Sequence, residues 1–197
     1  MKSTTLLDQM VEDQNGYIRL VDAQNKGLSK YSILEYVRQK DMERIAPGVY
    51  ITEDAWEDRL YLLQIRNRNI VFSHETALYI HGLSDREPFS PVITVKRGYN
   101  AKHLKETGVI VHTVREEWLS LGLTEAETFA GNMIRIYDKE RCLCDIVKRK
   151  NQMDIQIFQS AITSYFSDKD KDIHMLMEYA KVMQLEDRIR QYTEVLL

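Results

Sequence analysis

Two histidines seven residues apart, His74 and His81, stand in the segment SHETALYIHGL, with the carboxylate of Glu75 beside the first. Histidines and a glutamate at close spacing are the raw material of a metal or acid–base site. On a straight helix, however, a rise of about 1.5 Å per residue sets the two imidazoles about 10 Å apart on one face. A single metal is out of reach of both, and zinc-binding helices space their histidines by four, not seven. Glu75 lies about 100° round the helix from His74. The segment reads instead as a structural helix. Ser73 is the expected N-cap, Glu75 suits the positive helix start, and Gly82 follows the end. Ala77, Leu78 and Ile80 supply packing, and the two histidines satisfy backbone groups at either end. What remains for function is a surface that recognises something.

A second constellation, DKERCLCD, sets Asp138, Glu140 and Asp145 among Lys139 and Arg141. Capping by Asp138 and pairing along the helix account for these charges. Cys142 and Cys144 would be ~200° apart on that helix and do not share a metal. Two neighbouring cysteines are also too few for a disulfide framework. The sequence has no GxSxG, no P-loop and no glycine-rich phosphate loop. The methionines Met175, Met177 and Met183 read as core filler. These residues predict no enzyme, no metal and no cofactor.

The elements that must position such residues follow from composition and periodicity. The 197 residues are enough for one large or two small domains with real cores, and 44% hydrophobic with 29% charged is globular. No apolar run approaches the ~20 residues of a membrane span, and the first residues lack the apolar stretch of a signal peptide. A cytoplasmic protein without membrane contact is expected. The net charge is −3, yet residues 59–115 carry nine basic against four acidic side chains, and residues 14–50 six against four. A basic face on an acidic chain is therefore possible.

Residues 4–14 read as a helix, YIRLVDAQNKG as a second, and KYSILEYVRQK, capped by Ser29, as a third. MERIAPGVYIT then forms a hairpin around Pro47-Gly48. The acidic stretch TEDAWEDR marks a domain boundary, giving domains 1–53 and 54–197. In the second, PVITVKR, GVIVHTV and NMIRIYD are strand candidates, with NIVF a possible short strand. DKERCLCDIVKRK and DIQIFQSAITSYF are helices, and the tail is two helices broken near Gln184. The fold class is α+β: a winged helix-turn-helix followed by a mixed α/β domain whose small sheet is framed by helices.

Helix, turn, helix and hairpin in this order place the third helix in a DNA major groove with the hairpin as wing. With Ile33, Leu34 and Val37 turned to the core, Tyr31, Ser32, Glu35, Arg38 and Gln39 face outward. Lys30 and Ser32 reach phosphates, Arg38 and Gln39 suit base edges, and Arg44 with the Gly48 tip touches neighbouring backbone. The candidate DNA contacts are thus Lys30, Tyr31, Ser32, Arg38, Gln39, Arg44 and Gly48.

Three segments, GLSKYSILEYVRQKDMERIAPGVYI, VFSHETALYIHGLSDREP and KERCLCDIVKR, resemble in type and order the AbiEi antitoxins of type IV toxin–antitoxin systems, linked to abortive phage infection. The resemblance spans most of residues 16–150. The family pattern often carries threonine where Cys142 stands, so the cysteine pair lies outside it. The resemblance implies an N-terminal winged helix and a C-terminal antitoxin domain. It implies repression of the protein's own operon through promoter inverted repeats. It also implies relief of a nucleotidyltransferase toxin, AbiEii, without a stable complex. The candidate antitoxin surface is His74, Glu75, Arg97, Arg141, Asp145 and Lys148. The lack of a long heptad seam suggests a monomer in solution that pairs on repeated sites. Two alternatives stay open: an enzyme reversing the toxin's nucleotidyl modification, and a module that sequesters the toxin.

Overall fold

The computed structural model describes residues 2–196 and is a mixed α/β protein with two sheets. The chain divides into two units. The first takes in the described residues up to Leu63 together with Glu127–Asn132, and the second Gln64–Ala126 with Met133 onward.

The first unit begins with α1 (Lys2–Asp13), β1 (Tyr17–Arg19), α2 (Leu20–Asn25) and α3 (Lys30–Gln39), then β2 (Glu43–Ala46) and β3 (Val49–Ile51). The strands form an antiparallel sheet in the order β1-β3-β2. The expected hairpin around Pro47-Gly48 is β2 and β3. The start of the expected second helix is instead β1, because the free edge of β3 offers Tyr17–Arg19 a hydrogen-bonding ladder, and such pairing overrides local preference. One core joins the three helices to the sheet: Leu7 and Met10 from α1, Ala23 from α2, Ile33, Tyr36 and Val37 from α3, and Ile18 and Tyr50 from the strands.

The acidic stretch belongs to this unit through Tyr17. Its buried hydroxyl donates to the Trp56 carbonyl at 2.9 Å and accepts from the Asp58 amide at 2.7 Å. The Asp58 carboxylate accepts from Asn132 Nδ2 at 2.9 Å and from the Thr128 hydroxyl. Asn15 Nδ2 donates to the Gly131 carbonyl at 2.6 Å. These bonds tie Glu127–Asn132, remote in sequence, to the first unit.

The chain passes from the first unit to the second within α4 (Arg59–Arg66) and goes on with β4 (Val71–Phe72), α5 (His74–Ile80), β5 (Val92–Lys96), α6 (Lys102–Glu106), β6 (Ile110–Val114), α7 (Glu116–Leu119), β7 (Leu123–Glu127) and β8 (Met133–Tyr137). The helices α8 (Lys139–Lys148), α9 (Ile155–Ser167), α10 (Ile173–Val182) and α11 (Glu186–Leu196) complete it. The five strands run in the order β6-β5-β4-β8-β7, with β5–β6 and β4–β8 parallel and β4–β5 antiparallel. The three strand candidates are β5, β6 and β8. The short β7, LTEAE, lacks the apolar alternation that would announce it.

Aspartates start three of the late helices. Asp138 accepts from the Arg141 amide at 2.7 Å, Asp154 from Gln156 at 2.7 Å and Asp172 from Met175 at 2.8 Å. The expected break falls at Gln184, whose left-handed φ of 58° separates α10 from α11. Phe72, Leu78, Ile93, Ile136, Leu143, Ile146 and Leu176 are among the side chains buried in this unit. Among the described residues no helix is long and apolar enough to cross a membrane.

Candidate functional site

In the first unit α3 has two sharply different sides. Ser29 Oγ caps it by accepting from the Ser32 amide at 3.1 Å. The Ser32 hydroxyl is spent on the same cap, donating to the Ser29 carbonyl at 2.9 Å. Ile33, Tyr36 and Val37 are buried. Tyr36, not Leu34, completes the inner face, and Leu34 is 37% exposed. A tyrosine reads as polar in sequence, but here the ring packs inward while the hydroxyl donates to Asp8 Oδ1 at 2.8 Å. Lys40 Nζ meets the same oxygen at 3.0 Å. The tyrosine hydroxyl, then the lysine, hold the Asp8 carboxyl below its usual range.

The outer side of α3 carries Lys30, Tyr31, Arg38 and Gln39, all exposed. Tyr31 is 76% exposed, and the Arg38 guanidinium is only loosely tied to Glu35 at 4.0 Å. Arg44 on β2 is also exposed, its Nε donating to the Ala46 carbonyl at 3.4 Å. Gly48, at the turn after β2, is half-buried, and its carbonyl accepts from the Leu20 amide at 2.8 Å. Five of the seven expected DNA contacts therefore present free surface, whereas Ser32 and Gly48 are partly occupied within the fold.

In the second unit the histidine segment is organised differently from expectation. Ser73 precedes α5 but does not cap it. Its hydroxyl turns to the sheet, sharing a hydrogen bond of 2.8 Å with Thr94 Oγ1 and one of 3.0 Å with His74 Nδ1. His74 opens the helix in a left-handed conformation, φ 49°. Its ring stacks on His112 of β6, with centroids 4.0 Å apart and planes at 34°. Thr94 and His112 are directly paired between β5 and β6, so the ladder itself delivers the second imidazole. The partner of His74 is thus His112, which is not among the residues expected at a site. Its signal was a lone histidine inside the alternating strand GVIVHTV. His81 sits apart, its Nε2 bonded to the Tyr137 carbonyl at 2.7 Å, as a helix-end histidine should be.

Burial, reinforced by the nearby Arg149 and Arg141 charges, pushes the His74 imidazole down to about 3. Burial first, then His74 and Arg149, puts His112 at about 3 as well. Both rings are neutral at physiological pH.

Next to them α8 holds Arg141 with no solvent exposure. Its Nε donates to Asp145 Oδ2 at 3.2 Å, and its Nη1 to the carbonyls of Trp118 and Leu121 at 2.7 and 2.9 Å. The guanidinium lies 4.3 Å from the Tyr137 ring centroid. Nη2 has no partner. Burial raises the Asp145 carboxyl, opposed by Arg141. Of the six residues expected on one antitoxin surface, His74, Arg141 and Asp145 lie inside, Glu75 is half-buried, and only Arg97 and Lys148 are exposed. The exposed cation and the buried pair meet at Trp118, whose ring receives Lys148 Nζ at 4.3 Å from its centroid. Burial lowers the Lys148 ammonium, Asp145 counters it, and Arg141, Arg149 and Arg115 add to the lowering.

The cluster has the residue types of acid–base chemistry, but Ser73, His74 and Arg141 are closed to solvent and His112 is half-buried. What it does is bind the Trp118–Leu121 backbone to α8 and α5 to the sheet. The cysteines behave as core. Cys142 Sγ is directed to the Tyr137 carbonyl and Cys144 Sγ to that of Leu176, and burial pushes both thiols up. Among the described residues no group of three or more histidines, cysteines or carboxylates is placed to hold a metal.

No family profile and no curated protein matches the chain. Among solved structures, the RV2827C protein from Mycobacterium tuberculosis is similar in fold, with a TM-score of 0.53 at 12% identity over 95% of this chain and 77% of that one. At that identity the likeness is one of fold alone.

Proposed function

We propose that the protein is a type IV antitoxin and autorepressor. Its first unit acts as a winged helix on promoter inverted repeats, and its second opposes a nucleotidyltransferase toxin without forming a stable complex. The observation that carries the DNA-binding half is the two-sidedness of α3: Ile33, Tyr36 and Val37 anchor it, while Lys30, Tyr31, Arg38 and Gln39 stand clear. A helix held this way on a small core, followed at once by the β2–β3 hairpin, supports major-groove docking with the hairpin at the adjacent backbone. The antitoxin half rests on the three-segment resemblance.

The test is binding to the protein's own upstream DNA against scrambled DNA over a salt series. Preference for the former, with affinity falling steeply as salt rises, is expected. Arg38→Ala combined with Arg44→Ala weakens binding to both and flattens the salt dependence, with the melting temperature unchanged. Equal affinity for both DNAs in the unmutated protein removes the repressor reading.

A further inference from the structure

The five-stranded sheet carries a cavity of about 490 Å³, within the range of small-molecule sites. Val71 of β4, Leu119 of α7 and Leu123 of β7 give it an apolar lining. Lys96, at the end of β5, and Glu116, at the start of α7, line it as an ion pair at 3.0 Å, so their charges largely cancel. Arg135 of β8 is the cation left over. It is half-buried and pairs with no carboxylate among the described residues.

Arg135 is also held in place. Its amide donates to Gln64 Oε1 at 2.5 Å, and its Nη2 donates to the Ile70 carbonyl at 3.2 Å, the same carbonyl that accepts from Gln64 Nε2 at 3.1 Å. A half-desolvated guanidinium fixed on a strand is a preorganised receptor for a phosphate or carboxylate. Tyr99, on the turn after β5, adds an aromatic wall to the same cavity, which suits a flat ring. The Glu116 carboxylate, the Asn69 amide and the Ser120 hydroxyl complete the lining. The Glu116 carboxylate, its charge largely offset by Lys96, accepts hydrogen bonds from amino or hydroxyl groups.

From an anion receptor, an aromatic wall and an acceptor-rich rim in one cavity, we infer that it binds a nucleoside monophosphate. The phosphate lies at Arg135, the base lies along Tyr99, and base amino or ribose hydroxyl groups meet Glu116, Asn69 and Ser120. This site is independent of α3 and of the DNA reading.

Calorimetric titration of the full chain with AMP, GMP, CMP and UMP tests it, with inorganic phosphate and benzoate as comparison ligands. At least one nucleotide saturates the protein, about tenfold or more tighter than either comparison ligand. Arg135→Gln and Tyr99→Ala each weaken that nucleotide about tenfold. Ser120→Tyr, which fills the cavity from an exposed position, abolishes binding without changing the melting temperature. If Arg135→Gln does not fold, the other two variants decide. No saturation by any nucleotide at millimolar concentration, phosphate or benzoate binding as tightly as the nucleotides, or binding that survives both Tyr99→Ala and Ser120→Tyr overturns the inference.

Discussion

At the scale of single residues, the informative group is the imidazole pair of buried His74 and half-buried His112. Each ring is held below its ordinary value of 6.5, so between that pH and about 3 the unfolded chain takes up protons that the folded chain refuses. The stability contributed by these two rings is fully present above pH 6.5 and is lost as the pH falls through this window. For the almost fully buried His74 the slope is about 1.4 kcal/mol per pH unit at its steepest. Asp145, raised by burial, contributes with the opposite sign and is common to the two proteins to be compared. His74→Asn tolerates the left-handed backbone and removes the imidazole. Urea midpoints at pH 7, 5.5 and 4.5 should therefore decline less steeply in the variant than in the parent, and equal slopes would show that His74 is not buried neutral. Arg141→Met leaves the Asp145 carboxylate and two carbonyls unpaired inside the protein. It should cost about 3–5 kcal/mol in denaturant unfolding, much of it recovered by Arg141→Leu with Asp145→Leu. The types of these residues were legible in the sequence, as were the capping by Asp138 and the Arg141–Asp145 spacing. The His74–His112 stack was not, because it depends on the register of β6 against β5, which no local pattern encodes.

At the scale of elements, the periodic helices and β-branched strands could be read directly, and the failures share a cause. Tyr17–Arg19 became a strand through pairing with β3, Tyr36 went inside because Asp8 waited for its hydroxyl, and Ser73 left its helix uncapped because Thr94 was within reach. In each case a partner distant in sequence outbid a local preference. Gly122 shows the same dependence with a measurable cost. Its φ is 70°, and a Cβ there would lie 2.5 Å from the Arg141 Cβ and 2.9 Å from Asp138 Oδ1. Gly82 has the same φ with nothing within 4 Å of the added atom. Gly82→Ala should therefore cost only left-handed strain, about 1 kcal/mol. Gly122→Ala, which must also push α8 away, should cost clearly more when midpoints of unfolding are compared. Equal losses would mean that the start of α8 yields easily.

At the scale of the whole molecule, the acidic stretch suggested a boundary at residues 53/54, but it lies within the first unit, which runs on to Leu63, and the return of Glu127–Asn132 to that unit left no mark in the sequence. That segment is short and polar, and its anchor is the Asp58 carboxylate rather than any periodicity. A chain beginning at Gln64 keeps the five-stranded sheet and α5–α11. It should unfold cooperatively by circular dichroism, lose retention on promoter DNA and still relieve the toxin. Loss of toxin relief by a folded fragment would contradict the proposed division of labour. The same segment has an evolutionary corollary. The backbone passes from one unit to the other at Leu63–Gln64, again at Ala126–Glu127 and back at Asn132–Met133. One protease nick at the first crossing would thus free neither half. On the proposed reading, a single recombination event there would deliver the first unit without Glu127–Asn132, so a change of operator specificity is expected to proceed by point substitution on α3 rather than by exchange of whole modules.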